Sequence, residues 1–398
     1  MKILYFYQYY ATPKGSWGTR VHEFAQEWAK QGHQVQVVTS IYSKSDLKAK
    51  RFIEHQNFEG VDVTIINVRI DNKQPFLKRI YTFLAYAVCS VWFALTAKAD
   101  VVIASSGPIT VGIPGLVARY LRGKKLIFEA RDLWPEGAIE LGLIKNQFFQ
   151  KIAYALEARC YKASSLVVAL SIGMKQNIER RFPGTRVIDV TNAANIPLFS
   201  QTAAFEGRGL LVPRKYAIYT GNIGQVNNSL WLLEAAKVLQ AKGRTDLKIL
   251  LVGEGQQREL IDAEIQKQNL QTLVIWGLMP KKNLVGLIQN AMVSLVPLKG
   301  TPVLDTSSPN KFFESLAAGV PVIQNTQGWM KDFLIQHEVG FTLDPNDPVQ
   351  LAQKIIDLDT QQDKLEEMGT RAKVLAAQLF DKDYLAQKML DGITQAIQ

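Results

Sequence analysis

The stretch Tyr216-Ala217-Ile218-Tyr219-Thr220-Gly221-Asn222-Ile223-Gly224 reads as a buried strand ending in a turn of small residues. Leu230, Leu233, Glu234, Ala236 and Lys237 follow at helical spacing, and Lys248 to Val252 is a second strand that runs into Gly253-Glu254-Gly255. This order makes a βαβ unit, with parallel strands and a right-handed crossover. The chain opens the same way. Lys2 to Tyr9 is a strand and Gly15-Ser16-Trp17-Gly18 a turn; Val21, Phe24, Ala25 and Trp28 lie on one helical face, and Val35 to Thr39 is the next strand. Two such openings predict an α/β protein of two doubly wound domains facing a cleft, with a boundary in the Pro- and Gly-bearing stretch from Asn195 to Arg214.

Length and composition agree. The chain has 398 residues, 47% apolar and 21% charged, which suits two soluble globular domains and excludes disordered, collagen-like and multi-span membrane chains. Two cysteines, Cys89 and Cys160, exclude a disulfide scaffold, and four scattered histidines leave little for a metal site. No signal peptide is visible at Met1, so a reducing cytoplasm is the expected compartment. The net charge is +10, and residues 1–200 hold all of the excess, with 26 Lys and Arg against 15 Asp and Glu. A basic half suggests an anionic partner or simply a basic solvated surface. No aromatic-interleaved basic stretch points to nucleic acid.

Further strands are expected at Val101–Ala104, Leu126–Glu129, Leu166–Leu170 and Val187–Val190, then at Leu273–Trp276, Val293–Val296, Val320–Ile323 and Gly340–Leu343. Ile80 to Ala97 carries no charge and is flanked by Lys78, Arg79 and Lys98. That length reaches the lower limit for crossing a bilayer, but the run contains Tyr81, Thr82, Tyr86, Ser90 and Thr96 and leads straight into a strand. A core helix and an interfacial helix therefore stand beside the spanning reading.

Three stretches carry chemistry. Gly15 and Gly18 allow close approach to the backbone at a helix start, where Arg20 could add a charged fork to an anion, or else the loop is a plain turn. Phe128-Glu129-Ala130-Arg131-Asp132-Leu133-Trp134-Pro135-Glu136-Gly137 crowds acids and an arginine at the end of a buried strand, the edge that lines the ligand crevice in such sheets; a structural Arg131–acid pair is the plainer account. In Thr306 to Val322, Ser308 is expected to cap a helix with Pro309 at its first position, and Lys311 and Glu314 share one face. Lysine and free N–H groups can hold a phosphate, and the acid can accept sugar hydroxyls; an ordinary capped helix with an ion pair would look the same. Two Asp-x-Asp matches, Asp357-Leu358-Asp359 and Asp381-Lys382-Asp383, sit in the polar helical tail and read as a solvated face rather than a metal site.

FEARDLWPEG (residues 128–137) and SPNKFFESLAAGVPVI (residues 308–323), with GNIG, LVGEG and WGLMP in order, resemble family 4 glycosyltransferases of the two-domain GT-B fold. Together the first two look like the bacterial subgroup related to L-fucosamine transferases of O-antigen and capsule synthesis. The resemblance implies two Rossmann-like domains: 1–200 membrane-facing and acceptor-binding, with 382–398 able to pack back on it, and 201–381 for the nucleotide-sugar. Together with the reading of the loops, it gives expected donor contacts at Gly15, Gly18, Arg20, Gly221, Asn222, Gly253, Glu254, Leu278, Met279, Pro309, Asn310, Lys311 and Glu314, with Lys311 near the diphosphate as a catalytic residue; Arg131 and Asp132 are expected to be catalytic from their place at the end of a cleft strand. Neither metal nor cofactor is implied. The sequence departs from the family at three places: Thr306 stands where the first of two glutamates belongs, Asn222 to Asn228 has no basic residue, and Arg131-Asp132 replaces a His-acid pair.

The activity implied is retaining transfer of an N-acetylated sugar from a UDP donor to a saccharide on polyprenyl diphosphate. The enzyme would lie peripherally on the anionic inner face of the cytoplasmic membrane, with a cleft that closes to exclude water. Two rivals remain: a binding protein of the same fold that does not transfer, and a nicotinamide-dependent dehydrogenase, which needs an acid after the second strand that only Glu254 supplies.

Overall fold

The computed structural model describes residues 1–71 and 74–398. It divides into two compact units, Met1–Thr191 with Lys382–Gln398, and Asn192–Asp381. The division falls at Thr191, ahead of the Asn195–Arg214 stretch, because the short helix Ile196–Ser200 packs into the second unit through the fully buried Phe199.

The first unit contains β1 (Lys2–Phe6), β2 (Gln34–Tyr42), β3 (Ile53–Phe58), β4 (Val61–Ile70), β5 (Val101–Ser106), β6 (Lys125–Ala130), β7 (Leu166–Ala169) and β8 (Val187–Asp189). They form one sheet in the order β3-β4-β2-β1-β5-β6-β7-β8. All neighbours are parallel except β3 and β4, a hairpin turned at Glu59-Gly60, where both residues have positive φ. The central strands β5, β6 and β7 are buried at every position but Lys125, as expected where helices cover both sheet faces. The C-terminal helix Lys382–Ile397 belongs to this sheet's cover. Trp28 Nε1 donates to Ala386 O at 2.9 Å, and a side chain at Gly392 would clash with Ile188.

The second unit contains β9 (Tyr216–Thr220), β10 (Lys248–Val252), β11 (Leu273–Trp276), β12 (Val293–Val296), β13 (Val322–Gln324) and β14 (Gly340–Thr342). Its all-parallel order, β11-β10-β9-β12-β13-β14, is that of a Rossmann sheet, reversing direction between β9 and β12. One strand starts later than its apolar run suggests. Pro321 has no N–H for the ladder and Gly319 has φ +74°, so β13 begins at Val322.

The apolar run near residue 80 is a helix, Phe76–Thr96. One face carries Phe83, Tyr86, Ala87, Ser90 and Phe93 into the unit, and Tyr86 donates to Val38 O at 2.7 Å. By length and composition the helix could cross a membrane.

Candidate functional site

The residues singled out in the second half gather at the carboxyl edge of the second sheet. The β9 and β10 loops lie backbone to backbone: Gly221 N donates to Val252 O at 2.9 Å, and Ile223 N to Glu254 O at 3.0 Å. A side chain at Gly253 would run into Gly221 O, and one at Gly255 into Ile223 O. Gly253 is therefore explained by packing rather than by a ligand. Gly221, at φ +136°, takes a conformation that suits glycine, and beside it lies the Lys311 ammonium, 3.2 Å from where a Cβ would be.

Lys311 sits in the first turn of the helix Asn310–Ala317. Its Nζ lies 4.0 Å from the Tyr219 ring centroid and 3.2 Å from Asn227 Oδ1. Packing against ring and backbone removes water and pushes the ammonium down to about 7, while Glu314 pulls the other way. Asn222 contributes its carbonyl, which accepts the Tyr219 hydroxyl at 2.6 Å.

The helix start differs from the expected cap. Pro309, not Ser308, holds the N-cap position, in an extended conformation and without a side-chain cap bond. Ser308 is engaged by Asn192, whose N donates to Ser308 Oγ at 3.3 Å and whose Nδ2 donates to the Ser308 carbonyl. No side chain caps this helix end, at which the N–H groups of Asn310 and Lys311 stand.

Glu314 is buried, and Lys281 Nζ stands 2.7 Å from its Oε1. Lys281 opens the helix after Leu278, Met279 and Pro280, so this ion pair brings the β11 loop to the Lys311 helix. Leu278 is exposed there and Met279 packs against the core. Glu254 is held by Arg258 at 2.7 Å, and Arg258 also donates to Gly253 O at 2.9 Å. The acid that a dinucleotide ribose would need is thus already paired. Thr306, in the glutamate's place, donates its hydroxyl to Val303 O.

Sequence reasoning missed Lys281, Asn227, Arg258 and Asn325. The last, fully buried after β13, accepts Leu298 N through Oδ1 at 2.8 Å and leaves Nδ2 without a partner. A basic residue directly after WGLMP was a visible signal for Lys281; the asparagines had none. Asp359 is also not a solvated residue, since it is largely buried and binds Lys215 at 2.6 Å and Arg244 at 2.7 Å.

In the first unit, Arg20 is a structural residue, not a donor ligand. Its Nε donates to Glu129 Oε1 at 2.9 Å, its Nη2 to Val190 O at 3.0 Å and its Nη1 to Thr191 O. Glu129, fully buried, also accepts Tyr5 and Ser105, and its charge is held below the usual carboxylate range by Arg20 and Arg131 against burial. Gly15 is packed against Asp46 and Lys44, with its N donating to Thr12 O, so that turn is fixed locally. Gly18 is partly buried. Arg131 and Asp132 lie beyond β6. Arg131 N donates to Ser106 Oγ at 3.0 Å, and its guanidinium stacks 4.9 Å from the Tyr7 ring centroid. Asp132 is open to solvent, but the surrounding protein raises its carboxyl to about 6 and Arg131 lowers it in part.

Comparison with known proteins gives the family. A glycosyl transferase 4-like domain matches residues 15–193, and a group 1 glycosyl transferase domain matches residues 214–361. TuaH of Bacillus subtilis, provisionally named a teichuronic acid biosynthesis glycosyltransferase, is 25% identical over 241 residues, 58% of this chain and 58% of its own length. The match thus spans less than two thirds of TuaH. WbjE of Pseudomonas aeruginosa, provisionally named a glycosyltransferase, is 22% identical over 309 residues, 74% of this chain and 76% of its own. Among solved structures, Anabaena HepE in complex with UDP-glucose has a TM-score of 0.69 at 17% identity, covering 99% of this chain and 100% of that one. Two matched domains that take in most of the chain, on two Rossmann-like sheets, establish that it belongs to the glycosyltransferases of GT-B fold.

Proposed function

We propose that the protein transfers a sugar, with retention, from a UDP donor to a lipid-linked saccharide in surface-polysaccharide synthesis. The sugar is N-acetylated, and the subgroup is the one resembling L-fucosamine transferases. One observation carries this reading: Lys311, an uncapped helix start and the Gly221 turn converge, with Glu314 one helical turn on. That is a cradle for a diphosphate with an acid at ribose distance. Lys311 and the helix N–H groups stabilise the charge that grows on the leaving diphosphate. Glu314 accepts ribose hydroxyls. The first unit holds the acceptor, with Asp132 as the base that takes the hydroxyl proton. HepE's complex with UDP-glucose supports the donor class, and TuaH's name supports a polysaccharide product.

The first unit also docks on the cytoplasmic face of an anionic membrane. Three adjacent helices, Phe76–Thr96, Gly112–Arg122 and Gln147–Ala163, expose Tyr81, Trp92, Tyr120, Phe148 and Phe149. Their only acid is Glu157, which is buried and bound by Arg181, while seven Lys and Arg lie on them. Aromatic anchors among cations, without exposed acids, suit anionic lipid headgroups.

The test is incubation with UDP- and GDP-sugars and a polyprenyl-diphosphate saccharide. Release of UDP that depends on the acceptor is the expected result. UDP binding without any release would favour the binding-protein reading, to which Thr306 in place of an acid gives some weight.

A further inference from the structure

We propose that Arg79 and Arg131 form an anion site on the first unit that takes the phosphate joined to the acceptor saccharide. This rests on the transfer reaction proposed above and gives its acceptor a charged subsite. Glu129 is already matched by Arg20, and among the described residues no carboxylate lies at ion-pair distance from Arg79 or Arg131. Both guanidiniums are half-buried, and each has a buried nitrogen without a partner, Nε in Arg79 and Nη1 in Arg131. Half-buried cations left unpaired are costly, and a bound anion offsets that cost.

Aromatic rings link the two. Arg131 stacks on Tyr7, whose ring lies 6.4 Å from that of Tyr9, and the Arg79 guanidinium lies 5.8 Å from the centroid of Phe83, whose apolar cluster Tyr9 packs against. Tyr7 directly follows β1, Arg131 directly follows β6, and Arg79 lies in the first turn of the helix after β4. All are at the carboxyl edge of the sheet, where such folds bind ligands. Polar atoms without partners cluster on the same edge: Gln8 Oε1, on a fully buried residue after β1, and Thr110 Oγ1 after β5. The amide oxygen accepts and the hydroxyl donates or accepts, which suits saccharide hydroxyls beside the phosphate. Asp132 follows Arg131 in the chain and is exposed, so the reacting hydroxyl and the anion would share one site.

The ligand is a phosphate or diphosphate ester. A lipid headgroup fits better than a soluble ester. Arg79 sits at the start of the helix whose outer side exposes Tyr81, Val88 and Trp92, and Tyr81 lies within a turn of it, so a diphosphate at a bilayer surface would meet this end of the helix.

The experiment uses the whole protein, saturated with UDP, and phosphatidylcholine vesicles that contain either polyprenyl diphosphate or polyprenol. Co-sedimentation should favour the diphosphate vesicles by about tenfold or more, the worth of a charged hydrogen bond or two. Arg79→Gln and Arg131→Gln should each lose that preference and keep UDP affinity, and Arg79→Lys should keep part of it. Calorimetry with inorganic pyrophosphate separates the sources. Heat that both glutamine variants lose, without a preference for diphosphate vesicles, assigns the site to a soluble ester and overturns the lipid assignment. A wild-type preference in both variants, or no preference and no pyrophosphate heat in a protein that binds UDP, overturns the site itself. Failure to bind UDP at all would instead overturn the reading on which the site rests.

Discussion

Lys311 loses its water to the Tyr219 ring and the Gly221 turn, and its ammonium falls to about 7. A diphosphate restores the charged form, so UDP binding above pH 7 should take up a proton, and affinity should fall as pH rises. Calorimetry at pH 8 in buffers of different ionisation enthalpy measures this; no uptake would remove Lys311 from the phosphate. Lys311→Ala should lower turnover by about 10²–10³-fold, as for loss of one donor to a developing anion. Asp132, raised to about 6, is a base only above that pH. The kcat/KM profile should be a bell with limbs near 6 and 7, and Asp132→Asn should lose the acid limb with about 10²-fold or more of the rate. Glu314→Ala should weaken UDP by roughly 1.5–3 kcal/mol. Because Lys281 touches Glu314 at 2.7 Å, Lys281→Ala and Glu314→Ala should be non-additive in a double-mutant cycle. Additive losses would mean that the pair does not act as a unit.

At the scale of elements, loops and helix faces divide the work. The β9 and β10 loops hold the Lys311 pocket in shape by touching through their backbones. Gly253→Ala should therefore destabilise by about 1–3 kcal/mol, the range for overpacking, and a thermal melt reads this directly. Wild-type stability would show that the two loops can part. The helix Phe76–Thr96 fills the core with one side and exposes Tyr81, Val88 and Trp92 on the other. Tyr81→Glu with Trp92→Glu should abolish sedimentation with anionic vesicles at low salt and leave the melt unchanged. Retained sedimentation would move the docking surface elsewhere.

For the whole molecule, each unit has its own sheet and core, and the chain returns to the first unit at its end. Residues 1–191 alone should fail to unfold cooperatively, because Trp28 loses the Ala386 carbonyl and the sheet loses a covering helix. Fusing 382–398 to that piece should restore a cooperative transition by circular dichroism; a cooperative melt without it would show that the helix is dispensable. UDP at 100 times its dissociation constant should stabilise its unit by about 2.7 kcal/mol. That corresponds to a rise of roughly 5–10 °C for a unit of this size. A larger rise with GDP would overturn the choice of base.

The sequence alone determined the two βαβ openings, because apolar runs buried on both faces and small-residue turns are local facts. β9, β10, β11 and β12 stand where their residues predict. It also pointed to Lys311 and Glu314, whose spacing of three on a short helix puts them on one face. The β3–β4 hairpin escaped notice, although Glu59-Gly60 between alternating runs was its signal. Which charges are already paired follows from the folded chain and not from the order of its residues. Arg20 looks free in the sequence, but Glu129, 109 residues away, and the carbonyls of Val190 and Thr191 take its donors. Arg131 looks paired, being flanked by acids, yet Glu129 belongs to Arg20 and Arg131 stacks on Tyr7. Ion pairing depends on distance in space, and parallel strands joined by crossovers bring together residues that no sequence spacing relates.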